Sequence, residues 1–185
     1  VSGLPSSAMI TKVNVGFNIN HAWLKDVEVV LKAPNGKYIA LAADQGPNAV
    51  GAYVKTLITS DNSAAALSTL ATPITGTYKA NATIASGLKG SFGTNLTSTF
   101  SDLFTVVNGD WTVLAYDDGA NDLGTLIDCF VTITYTIPNA ITWSATNATL
   151  YTDAAGLIAY SSPGNYPTTI YAKPVAPTAV ITATA

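Results

Sequence analysis

The strongest constraint on the fold of this chain is an alternation of polar and apolar side chains with a period of two. Residues 13, 15, 17 and 19 are apolar and alternate with polar residues or glycine from 12 to 20, and the same period recurs from 26 to 32. Successive side chains of a β-strand point to opposite faces, so each run predicts a strand with one buried and one solvated face. In the second run Val27, Val29 and Leu31 are predicted to face the core, and Asp26, Glu28 and Lys32 to face solvent.

Turn residues and composition extend this pattern into an all-β prediction. The Pro-Asn-Gly sequence at 34–36 separates the second run from residues 38–41 and predicts a hairpin. Strong helix formers are scarce, because Glu occurs once and Arg is absent. Short strands between turns predict a β-sandwich or barrel. Further strands are predicted at 53–59, 76–80, 111–116 and 126–135, an irregular crossing at 83–99, and either a helical turn or a loop at 60–70.

Charge and cysteine content exclude several classes of function. The net charge is −3 and the basic residues are all lysines, so a phosphate-neutralising surface is absent and nucleic acid is excluded as a partner. The apolar runs are short and interrupted, so no membrane span is predicted. A single cysteine excludes an internal disulfide. Low charge and many strands predict a secreted or cell-surface protein, and a first residue of Val1 rather than Met predicts a fragment of a longer precursor.

Three motifs in the first part of the chain share their order with a known family. Residues 21–36 combine a His, an aromatic residue two positions later, an Asp before an apolar strand, and a Pro-x-Gly turn. Residues 74–78 and 108–113 supply the second and third motifs, and an acidic loop with Gly124-Thr125-Leu126 follows. Together they resemble the P domain, or P/Homo B domain, of subtilisin-like proprotein convertases. The resemblance implies a jelly-roll β-sandwich over residues 1–137.

The chain departs from that family at three positions. Lys25 stands where the family usually has Gly, and Ala33 where it usually has Ser. Cys129 replaces an aromatic residue of the last strand. Because Cys129 alternates with apolar residues on one strand face, its thiol is predicted to be a small buried hydrophobe.

Residues 138–185 form a Thr-, Ala- and Pro-rich tail with weaker alternation. We expect a linker and part of a second β module there, because the stretch is too short for a complete sandwich. Residues 150–156 and 170–174 resemble part of the immunoglobulin-like repeats that accompany P domains in large surface proteins of Gram-negative bacteria. That resemblance implies a larger exported parent protein and type IX secretion.

The chain offers no catalytic constellation, so we expect that it is not an enzyme. His21 is the single histidine, and a Gly-x-Ser-x-Gly nucleophile elbow is absent. A structural, hydrogen-bonded role is therefore expected for His21. One His without a second soft ligand also argues against zinc.

The one cluster of acidic residues lies in the loop before the last strand of the first module. Asp117, Asp118 and Asp122 are spaced within a Gly- and Asn-rich stretch. Adjacent aspartates in such a loop fit oxygen ligation of calcium better than acid–base catalysis. Calcium is thus the candidate cofactor at these three residues, and solvated loop charges without a bound ion are the other interpretation, so both stay open.

Two functions follow as hypotheses. The first is a non-catalytic module that stabilises or displays its neighbours in a larger exported bacterial protein, so that its partners are the adjoining domains or a protein at the cell surface. The second is an adhesin-type module that binds surface glycans or a partner protein. Aromatic side chains can stack on sugars, and jelly-roll folds host carbohydrate-binding modules. The tryptophans are Trp23, Trp111 and Trp143.

Overall fold

The computed structural model describes residues 1–67, 72–81, 88, 92–138, 141–162 and 167–185. The chain divides into two compact units. The first contains residues 1–4 and 9–136, and the second contains residues 5–8 and 137–185. The all-β prediction is confirmed, since the regular elements of the described residues are twelve strands and three short 3₁₀ turns.

The described residues of the first unit form eight strands in two sheets of four. One sheet has the order β5-β4-β1-β8, and the other has the order β6-β3-β2-β7. The first strand pairs with the eighth, the second with the seventh, the third with the sixth and the fourth with the fifth. This nested pairing is that of a long ribbon folded over on itself, as in a jelly roll, although β3–β6 and β4–β5 are parallel. The strands are β1 (Met9–His21), β2 (Val27–Lys32), β3 (Tyr38–Ala42), β4 (Gly51–Thr59), β5 (Ile74–Lys79), β6 (Leu96–Thr97), β7 (Thr112–Asp117) and β8 (Gly124–Thr136).

The inward faces of both sheets meet in one apolar core, as the alternation predicts. Four alternating apolar residues in the middle of β1 are at most 3% exposed. Val27, Val29 and Leu31 of β2 join the same cluster. Burial of such side chains contributes about 1.5–3 kcal/mol each to the free energy of unfolding. The β1 residues in this core are Val13, Val15, Phe17 and Ile19.

The other face of β2 departs from the prediction of a solvated surface. Asp26 is partly exposed and Lys32 is exposed, but Glu28 is fully buried. Its neighbour on β7 is Tyr116, whose ring packs against Phe92, and Phe92 in turn packs on Tyr38 of β3. This aromatic cluster covers the outer face of the sheet, so the prediction that Glu28 faces solvent is wrong.

The prediction of a buried Cys129 thiol is also wrong, because Cys129 is exposed. The register places Cys129 opposite Phe17, so the cysteine does lie on the inward face of its sheet. However, β8 and β7 are the last strands of their sheets. A cavity of about 520 Å³, lined by Trp111 and Val113 of one sheet and Cys129 and Val131 of the other, leaves this part of the face open.

Where the structure describes the second unit, it forms four short strands in two two-stranded sheets. They are β9 (Thr142–Thr146), β10 (Ala148–Tyr151), β11 (Tyr171–Pro174) and β12 (Val180–Thr184), with β9 pairing with β12 and β10 with β11. Trp143 is held by its indole N–H, which donates to the carbonyl of Pro167 at 2.8 Å, and by its backbone N–H, which donates to the Tyr160 hydroxyl at 3.0 Å. The similarity of this tail to an immunoglobulin-like repeat stays a prediction.

Two of the predicted irregular stretches fall partly outside the described residues. Residues 60–67 form a turn that ends in a β-bridge at Ala66, while 68–70 are not described. The crossing predicted at 83–99 is described only at 88 and 92–99, which includes a 3₁₀ turn and β6. Within the described ranges, none of the helical segments is long and apolar enough to span a bilayer.

Candidate metal centre

The acidic loop, residues 117–123, connects the outer strands β7 and β8 and lies on the segment that follows β1. The backbone N–H of Asp118 donates to the carbonyl of Asp26 at 3.0 Å, and the N–H of Ala22 donates to the carbonyl of Leu123 at 3.1 Å. Asn121 adopts a left-handed conformation with φ of 73°, which a short polar side chain tolerates. These contacts fix both ends of the loop against residues 22–26.

His21 ends β1 directly beside the point where the acidic loop enters β8. In the register of these two strands His21 is opposite Gly124. A Cβ atom at Gly124 would lie 1.9 Å from Cδ2 of His21, so only glycine permits this approach. The imidazole is consequently buried, with 5% of the residue exposed.

Three side chains converge at this position. Nε2 of His21 lies 3.3 Å from Oδ2 of Asp117. One potential ligand atom from each of His21, Asp117 and Asp122 lies within 4.8 Å of the others. Two of the three aspartates that the sequence singled out are therefore brought together with the histidine, while Asp118 is more exposed and lies at the rim.

Asp26 adds a fourth carboxylate beside the acidic loop. Its pKa is raised, first by partial burial and then by the negative charges of Asp122, Asp118 and Asp117, while His21 acts in the opposite direction. The side chain reaches the loop closely, because a Cβ atom at Gly119 would lie 1.9 Å from Oδ2 of Asp26. The three loop aspartates thus add negative charge around Asp26, and negative charge favours a bound cation.

His21 and Asp26 are the members of this cluster that the sequence analysis did not assign to the site. Both belong to the motif at 21–36, which precedes the acidic loop by about 90 residues of chain. The signal that would have found them is strand pairing, because β1 and β8 are neighbours and bring His21 beside the loop. That pairing is not visible in local alternation.

The imidazole ring is oriented by the backbone that follows it. Nδ1 lies 2.9 Å from the carbonyl oxygen and 3.1 Å from the amide nitrogen of Trp23. The ring therefore either donates to that carbonyl or accepts from that N–H, depending on which nitrogen carries the proton. Both contacts turn Nε2 toward Asp117. On its inner side the cluster borders a cavity of about 250 Å³ whose lining includes Ile19, Val27 and Leu126.

Comparison with known families supports the resemblance derived from the motifs. Residues 10–81 match the family model of the proprotein convertase P-domain. The predicted P-domain resemblance is confirmed over these residues. The P domain is a non-catalytic companion domain of proprotein convertases and is typical of extracellular proteins. Neither the curated proteins nor the solved structures yield a match to this chain.

Only part of the candidate centre lies within the segment that matches the family model. His21 and Asp26 lie inside the segment that matches the P-domain model, and the acidic loop lies beyond it. The cluster thus joins the matched segment to the last two strands of the same unit.

Proposed function

We propose that this chain is a non-catalytic module of a larger exported bacterial protein, in which it stabilises or displays the adjoining domains. The observation that carries the proposal is the P-domain match at residues 10–81, since P domains accompany a catalytic domain rather than perform catalysis. The eight-stranded unit around that segment has its own apolar core, which suits an independently folding companion.

The experiment compares the parent protein with and without this module. Deleting residues 1–185 should lower the melting temperature of the adjoining domain and its yield in the culture medium. Peptidase and glycosidase assays on the isolated chain should remain at background. An adjoining domain that is unaffected by the deletion, together with a turnover that His21→Ala abolishes, would contradict the proposal.

A bound cation at the acidic loop forms part of this proposal. The sequence predicts calcium at Asp117, Asp118 and Asp122, and the negative potential around Asp26 supports a cation there. A cation would join the end of β1 to the connection between β7 and β8. Thermal unfolding with and without chelator tests this part, and identical curves would contradict it.

An adhesin-type role is the second candidate, and a specific surface favours it. Trp23 is 43% exposed, and its chain neighbour Ala22 lines a cavity of about 510 Å³ together with exposed Val50 and Leu123. An exposed tryptophan next to an open cavity can stack on a sugar ring. Binding of bacterial or host surface glycans in an array, lost in Trp23→Ala but kept in Val54→Ala, would support this role.

A further inference from the structure

The candidate centre contains a buried imidazole and a carboxylate oxygen whose hydrogen-bonding capacity is unused. Nε2 of His21 is buried and makes no hydrogen bond, although it lies 3.3 Å from Asp117 Oδ2. Oδ1 of Asp122 is also buried and makes no hydrogen bond. Buried polar atoms of folded proteins nearly always have a partner, so two such atoms in one cluster indicate a ligand.

The environment of Nδ1 explains how Nε2 can act as a donor of electrons. When Nδ1 carries the proton, it donates to the Trp23 carbonyl at 2.9 Å, the shorter of its two contacts. Nε2 then presents its lone pair to the carboxylates. A backbone carbonyl that accepts from one ring nitrogen while the other binds a metal is a recurrent arrangement of metal-binding histidines. Without a cation between them, the lone pair and the Asp117 carboxylate would repel each other.

We propose that His21, Asp117 and Asp122 bind a divalent metal ion of the zinc class, with Asp26 contributing negative charge nearby. Ligands about 2.0–2.2 Å from a tetrahedral zinc ion lie about 3.3–3.6 Å apart, which agrees with the His21–Asp117 separation of 3.3 Å. The imidazole decides between ions, because calcium takes oxygen ligands and zinc takes imidazole nitrogen together with carboxylate oxygen.

The proposal refines the cation binding proposed above, on which it rests, by adding the identity of the ion and of the nitrogen ligand. A single histidine ligand without a cysteine ligand does not exclude zinc, because zinc also takes carboxylate oxygens. The fold supplies two carboxylates that are 96 and 101 residues away from His21 along the chain and lie beside it in space. A metal ion at this position would tie the end of β1 to the loop that connects β7 with β8, the edge strands of the two sheets.

The experiment uses the full 185-residue chain, purified in chelator and dialysed, with Zn²⁺ alone and Ca²⁺ alone as probes. We expect one equivalent of Zn²⁺ to bind, and the melting temperature to rise by about 5–10 °C at a hundredfold excess over Kd. Ca²⁺ at the same concentration should give a smaller shift. Because the chain has a single histidine, the ¹⁵N resonances of its ring report on His21 without assignment. Zn²⁺ should move the Nε2 resonance, whereas Ca²⁺ should not.

A matched pair of variants locates the ion. Asp122→Asn should abolish Zn²⁺ binding and the Nε2 shift while the metal-free chain remains folded. Asp128→Asn is the control, because it removes the same charge from an exposed side chain of β8 that accepts a hydrogen bond from Asn18. The control should bind Zn²⁺ as the unmodified chain does. His21→Gln should also abolish binding, and its far-ultraviolet spectrum shows whether the variant is folded.

The outcomes separate this inference from the proposal on which it rests. Stabilisation by Ca²⁺ alone with an unmoved Nε2 resonance would overturn the zinc inference and leave an oxygen-ligated cation site. An Asp122→Asn variant that binds Zn²⁺ as tightly as the control would overturn the zinc inference alone. A chain that binds neither ion would overturn both the zinc inference and the cation proposal.

Discussion

Two aspartate-containing turns in this molecule satisfy their carboxylates in different ways. In the Asp153 turn, residues 152–158 of the second unit, Oδ1 of Asp153 accepts from the backbone N–H of Ile158 at 2.7 Å and of Leu157 at 3.0 Å. These donors lower the pKa of Asp153, with the Ile158 bond as the largest cause. Beside the acidic loop, by contrast, the pKa of Asp26 is raised, first by partial burial and then by the neighbouring carboxylates.

The difference shows what makes an acidic cluster a candidate for metal binding. A carboxylate that accepts from its own turn needs no cation, because backbone N–H groups supply the positive partial charge. In the acidic loop one oxygen of Asp117 accepts from the backbone N–H of Gly119 at 3.0 Å, whereas its other oxygen faces the His21 imidazole and Oδ1 of Asp122 is buried without a hydrogen bond. The number of aspartates in a loop is therefore less informative than the donors that the backbone directs at them.

The largest expected effect is on the free energy of unfolding, when a Gly→Ala substitution beside His21 is compared with one in the Asp153 turn. Gly124→Ala should lower the free energy of unfolding by about 1–3 kcal/mol, because its Cβ would overlap the His21 ring and approach the carbonyl of Asn20 to 2.8 Å. Gly156→Ala in the Asp153 turn meets only ordinary contacts and should cost about 1 kcal/mol for its φ of +67°. Urea unfolding of both variants measures the difference, and equal losses would contradict it.

The next comparison removes one charge from each turn in the presence of chelator. Asp122→Asn should raise the free energy of unfolding by a few tenths to about 1 kcal/mol, since it relieves repulsion among the carboxylates. Asp153→Asn should instead destabilise its turn, because the two backbone donors lose a charged acceptor. If both substitutions changed the free energy of unfolding in the same direction, backbone N–H donors would not explain the difference between the two turns.

A pH titration sharpens the contrast at the Asp153 turn. Because the folded-state pKa of Asp153 lies below its ordinary value of 3.8, the stabilisation is complete above that value and is lost as the pH falls through the folded-state pKa. As the pH falls below about 4, the backbone amides of Leu157 and Ile158 should lose protection against hydrogen exchange. The protection factor is calculated with the intrinsic exchange rate at each pH. In Asp153→Asn this additional loss should disappear.

The smallest expected effect concerns the strand into which the acidic loop leads. Cys129→Ser should change the free energy of unfolding by less than about 0.5 kcal/mol, because the thiol is exposed. A thiol reagent should label Cys129 in the native chain without denaturant. Slow labelling that becomes fast only on unfolding would show that the cavity between β7 and β8 is closed in solution.

Part of the candidate site was accessible from sequence and part was not. The cluster of Asp117, Asp118 and Asp122 is visible because its members are adjacent along the chain. The participation of His21 and Asp26 depends on the pairing of β1 with β8 and on the hydrogen bond between Asp118 and Asp26. Such long-range pairings leave no trace in a window of ten residues, so the sequence predicted oxygen ligands alone.

The local sequence pattern specifies the extended backbone of each strand and the face on which its apolar side chains lie. The alternation at 12–20 and 26–32 specifies strands β1 and β2 and the side chains that enter the core, because a period of two is a property of the extended chain. Both runs lie inside the segment that matches the P-domain model.

Whether other segments of the chain cover a given strand face depends on the tertiary structure. Glu28 lies on the face that alternation assigns to solvent, yet Phe92 and its aromatic neighbours cover that face. Cys129 lies on the face that alternation assigns to the core, yet it is exposed because both adjoining strands are at the ends of their sheets. Alternation tells which way a side chain points, whereas burial depends on what another segment of the chain places in front of it.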